Sequence, residues 1–186
     1  MSIEERSAAE EVRGIFERAV SDGLRPELMA GATGEQVDAW AADQDVHTVP
    51  TAVREVLELI GSNSGLWFAG SSFGVDAISA EAKRHALATL GNMKPTLVDE
   101  AGILVLVEHQ GYEFHVIDGG DIGLPNPPVW LVVENQSAVM HWPSVSDWFK
   151  FGQPNIKDYK FRLEFNRKRG RSTNPSWLHY FDFAAE

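Results

Sequence analysis

The chain has 186 residues and 44% hydrophobic content, enough to build one packed core. It contains no cysteine, which excludes disulfides, thiol nucleophiles and thiolate metal sites and fits a reducing cytoplasm. The formal net charge is −11, with 9 Lys+Arg against 23 Asp+Glu in residues 1–150 and 7 against 4 in residues 151–186. So acidic a body repels nucleic acid and anionic lipid and attracts basic proteins.

In chain order, residues 3–21 set Ile3, Val12, Ile15, Phe16, Ala19 and Val20 at three- and four-residue spacing, the stripe of an amphipathic helix. No apolar signal core precedes it. Thr33-Gly-Glu-Gln36 has capping-box spacing and predicts a second helix carrying Val37 and Trp40 inward. Pro50 opens a third, with Val53, Val56, Leu57 and Ile60 on one side, broken by Gly61-Ser-Asn-Ser-Gly65. The apolar run Leu66-Trp-Phe-Ala69 ends in a Gly/Ser turn. Residues 79–90 predict another helix, with Ser79 as its cap.

Beyond a loop around Pro95 the period changes from 3.6 to 2. Residues 103–109 and 112–117 flank Gln110-Gly111 and read as a hairpin with a two-residue turn. The stretch 103–107 is as long as any apolar run in the chain and too short to span a membrane. Residues 129–133 and 138–142 predict two more strands, and a short helix over 144–149 closes the body. Helices first and an antiparallel meander later predict an α+β fold, helices packed on one sheet face, with a basic extension over 151–186. The tryptophans at 67, 130, 142 and 148 suit either of two roles, anchors of an interface or, more commonly, completion of the core.

The order of these motifs resembles the SUKH superfamily, named after a yeast cell-wall-synthesis regulator and widespread in bacteria. An acidic helix comes first. Val49-Pro50 then stands where the family usually has Leu-Pro, followed by a helix over 51–60 and the Gly/Asn turn 61–65. A strand pair with a Gly turn leads to Asp118, then come Pro128-Val129 and the closing Ser144-Val-Ser-Asp-Trp-Phe149. The resemblance covers residues 33–150, within a single domain over 1–150. It implies a non-enzymatic binding fold: many bacterial members are immunity proteins that block a cognate toxin, often a nuclease, and the yeast relatives are regulatory adaptors. No catalytic residue transfers.

Three constellations bear on chemistry. Gly70-Ser-Ser72-Phe-Gly74 matches the G-x-S-x-G nucleophile pattern, with Asp118 and His141 following in hydrolase order; an antiparallel meander does not suit a nucleophile elbow, and a packing turn is the plainer reading. The six histidines hold no i, i+4 pair, so neither a metal nor any other cofactor is expected; the two-residue turn places His109 and His115 on opposite faces. That same turn sets Glu108 opposite Glu113, Val107 opposite Phe114 and Val105 opposite Val116. Facing glutamates repel across a ladder. We therefore read Glu108 and Glu113, with Asp118 and Asp121 beyond them, as an acidic patch that meets a Lys/Arg surface on a protein partner.

The expectation is thus a cytoplasmic, non-enzymatic binding domain that needs no cofactor and contacts neither membrane nor nucleic acid. An immunity protein is the leading form and a regulatory adaptor the alternative. A serine hydrolase using Ser72 comes last.

Overall fold

A computed structural model of the chain describes residues 2–93, 97–172 and 174–183; the loop expected around Pro95 lies outside the described residues. Helix α1 (Ile3–Ser21) starts at a capping box between Ser2 and Glu5 and buries Ala8, Val12, Ile15 and Ala19. Helix α2 (Gly34–Asp43) begins at the Thr33/Gln36 capping box, and α3 (Thr51–Ile60) follows Pro50, which stands at its N-cap. Helix α4 (Ala80–Gly91) is capped by Ser79. At α1, α2 and α4 a side-chain oxygen accepts from an orphan N–H of the first turn, whereas at α3 Ala52 N–H donates to the Pro125 carbonyl.

The strands β1 (Ser72–Phe73), β2 (Leu104–His109), β3 (Glu113–Ile117), β4 (Val129–Val133) and β5 (Ser137–Trp142) form one antiparallel sheet in the order β1-β2-β3-β4-β5. The fold is α+β. Residues 104–107 of β2 are all buried, so the sheet is covered on both faces rather than one. Helix α5 (Val145–Gly152), capped by Ser144, places Trp148 against His115 on one face. On the other, His85 of α4 lies 3.6 Å from Glu108. Trp67, Trp130, Trp142 and Trp148 are all buried, as expected of core residues.

The hairpin departs from the expected register. Gln110 and Gly111 take positive φ, and Tyr112 N–H closes the turn on the His109 carbonyl. The ladder nevertheless resumes with His109 opposite Glu113, which leaves Tyr112 as an extra residue. Glu108 then faces Phe114 and Val107 faces His115, until a compensating bulge at Leu106 restores Val105 opposite Val116. Two one-residue irregularities cancel, so only the central part of the hairpin is out of step. Glu108 and Glu113 project to opposite faces and do not repel each other across the ladder.

Beta-strand β2 outlasts its short neighbour β1, and Gln44 fills the gap. Its buried side chain accepts from Val105 N–H (2.9 Å) and donates to the Val105 carbonyl (3.3 Å). Lys83 Nζ donates to the Gln44 carbonyl at 2.6 Å, tying α4 to the same point.

The basic extension is built into the molecule. Helix α6 (Ile156–Lys168) buries Ile156 and Leu163, and the chain returns to the end of α1, where Phe181 bridges Leu24. Arg25 N–H donates to the Tyr180 carbonyl and Asp182 N–H to the Gly23 carbonyl. Tyr159, Trp177 and Phe181 cluster with ring centroids 4.8–6.2 Å apart.

Candidate binding site

The four carboxylates read from the sequence as one patch lie in three places. Asp118 is 1% exposed and accepts from the backbone N–H groups of Val98 (2.6 Å), Asp99 (2.8 Å) and Gly120 (3.0 Å), so it organises a loop and presents nothing to a partner. Asp121 sits in the short turn that Asp118 caps, and its carboxyl pKa is raised by burial and by the Asp118 charge. Glu108 faces α4 beside His85. Only Glu113 faces the cleft described next.

Ser72 is not at an elbow. It lies within the edge strand β1, paired with Glu108, and the chain runs through Gly74 and a turn before α4 begins at Ala80. The strand–turn–helix that a nucleophile elbow requires is absent at this position.

A cleft of about 620 Å³ opens where the hairpin end of the sheet meets the α5–α6 elbow. Its floor carries His109, Glu113, His115, Leu131 and Trp142 from β2 to β5. One wall is the turn holding Phe68 and Ser71; the other carries Phe151 with Asp158 and Arg162 of α6. His109 and His115 share this face, contrary to the two-residue-turn expectation, because the extra residue Tyr112 shifts β3 by one. Such a shift moves a side chain to the opposite side of a strand.

The rear of the cleft is rigid. Phe68 adopts φ +52 and stacks on Trp148 with centroids 4.5 Å apart. Its N–H donates to the Gly152 carbonyl at 3.1 Å, so closely that a Cβ at residue 152 would collide with its ring. Glycine is the residue that permits this approach.

The polar groups are held in turn. Trp148 Nε1 donates to His115 Nδ1 at 3.0 Å, which leaves the imidazole proton on Nε2, 3.4 Å from Glu113 Oε1. Burial, with His141 and His109 nearby, pulls the His115 pKa down to about 4. Neutral His115 is thus a post that orients Glu113. His109 Nδ1 and Ser71 Oγ are 3.0 Å apart, and Tyr112 meets His109 edge-on. By contrast Phe151 is 65% exposed and Tyr112 40% exposed at the rim.

Sequence reasoning missed this site because its parts come from five separated segments. The one local signal was the aromatic density around residues 142–151. Among the described residues no group of three His, Cys, Asp or Glu side chains is arranged to hold a metal ion, and no helix is long and apolar enough to cross a membrane. Comparison of the chain with protein families, with curated proteins and with solved structures found no match.

Proposed function

We propose that this chain is a non-enzymatic protein-binding domain that takes a basic projection of its partner into the cleft, in the manner of an immunity protein that masks a nuclease toxin. The observation that carries this reading is the placement of Glu113 and Asp158 among the exposed rings of Phe151 and Tyr112 in one open depression. Aromatic anchors beside a carboxylate suit a Lys or Arg side chain, which packs its stem on the rings and its charge on the acid. The surplus of acidic residues over the body would speed encounter with such a partner. A nuclease surface shaped to accept phosphates is attracted to clustered carboxylates for the same reason. The motif order resembling SUKH immunity proteins points the same way.

The Ser71–His109 contact does not favour catalysis. No carboxylate is hydrogen-bonded to the other nitrogen of His109, so the third member that orients the base in a nucleophilic triad is missing among the described residues. Calorimetric titration with a basic nuclease toxin domain tests the proposal. Saturable binding that weakens with salt and with Phe151→Asp supports it. Binding indifferent to both, or hydrolysis that disappears with Ser71→Ala, contradicts it.

A further inference from the structure

Helix α6 offers a second surface, of opposite sign. Ile156 and Leu163 are buried, and Phe161 and Phe165, four residues apart on the outward face, are 66% and 38% exposed. A groove of about 350 Å³ runs between these rings and the half-buried Trp177, with Arg162 and Asn166 completing its wall. Apolar side chains gathered into one contiguous exposed patch, rather than scattered singly, mark contact sites.

Arg162 lines this groove and a basic run begins beside it. Arg167, Lys168, Arg169 and Arg171 follow Phe165 in sequence, and the Arg169 guanidinium lies 4.5 Å from the Phe165 ring centroid. Among the described residues the arginine ion pairs use Arg13, Arg25 and Arg54, and none draws on this run. Residues 151–186 are the net-positive part of a chain whose remainder is strongly negative.

We propose that the α6–Trp177 groove docks an acidic segment of a partner protein, which seats an apolar side chain between Phe161, Phe165 and Trp177 and sets carboxylates against Arg167 to Arg169. Charge complementarity selects an acidic occupant, and the three rings select one with an apolar knob. The strong negative charge of residues 1–150 disfavours a polyphosphate strand on this molecule. The groove shares Arg162 with the cleft wall but none of Glu113, Phe151 and Trp142, and the variants that test it leave Arg162 in place.

Fluorescence anisotropy with a labelled peptide of about 15 residues, placing Leu and Phe anchors at helical spacing among glutamates, tests this. Controls are the same peptide with every Glu replaced by Gln, and a single-stranded oligonucleotide of similar length. The Glu peptide is expected to bind at least about tenfold tighter than the Gln peptide, and to lose that margin at high salt. Phe161→Ser/Phe165→Ser and Arg167→Glu/Arg169→Glu should each weaken it by about tenfold or more. Both variants change exposed side chains, and unchanged circular dichroism confirms the fold. No binding, equal binding of the two peptides, indifference to either variant, or tighter binding of the oligonucleotide would overturn the proposal.

Discussion

The indole N–H of Trp148 reaches Nδ1 of His115 at 3.0 Å, and this bond decides which imidazole nitrogen carries the proton. Nε2–H is thereby turned toward Glu113 at the cleft floor. A helix residue in the core thus sets the tautomer of a buried strand residue beneath the cleft.

The same burial makes stability depend on pH. Folded His115 titrates at about 4, well below its ordinary 6.5, so between those values the unfolded chain binds a proton that the folded chain refuses. The contribution is complete above pH 6.5, declines as pH falls toward 4, and levels off below that. Its size is on the order of 3 kcal/mol. Urea midpoints measured across this range should drop with acidity in the wild type, and the drop should shrink in His115→Gln.

Gln44 is a second pinned point. Gln44→Leu removes both hydrogen bonds to Val105 and strands two buried backbone groups at the edge of β2. A loss of about 2–4 kcal/mol is expected, read as a lower urea midpoint at unchanged slope.

Asp118→Ala should cost about 3 kcal/mol or more, because three backbone N–H groups lose their acceptor. Partner affinity, measured below the melting range, should be unaffected. A clear loss of affinity in a folded Asp118→Ala protein would return Asp118 to the interface.

The two hairpin glutamates should behave differently. Glu113→Lys is expected to weaken partner binding about tenfold or more, whereas Glu108→Lys, on the opposite face beside α4, should change it by less than about twofold. Surface plasmon resonance at two salt concentrations separates these outcomes.

What the sequence disclosed follows from how local each signal is. The capping box at Thr33, the Ser79 cap and Pro50 are short-range chemistry, and each marks a helix start within a residue. The strands of the meander were legible from their period. Their register was not, because the turn and the bulge that set it are decided by packing. Gln110-Gly111 predicts the tight turn that forms, but nothing local announces that Tyr112 is left over or that Leu106 restores the phase. That single offset brings His109 onto the face that Glu113 and His115 share, takes Glu108 off it, and so sets the floor of the cleft. The short helix expected over 144–149 continues through Gly152, where the close approach of Phe68 shapes the rear wall. Asp118 misled for a related reason: a carboxylate after a strand reads as exposed, and here the backbone of residues 98–99 folds over it.

The most direct measurement of the central claim is growth of cells that express a basic nuclease toxin domain from the same genomic neighbourhood together with this chain. Wild type and Glu108→Lys should restore growth, while Glu113→Lys/Phe151→Asp, folded by circular dichroism, should fail to do so. Equal protection by all three proteins would contradict a role for the cleft, and protection that persists at catalytic rather than stoichiometric amounts of the chain would contradict binding as its mode of action.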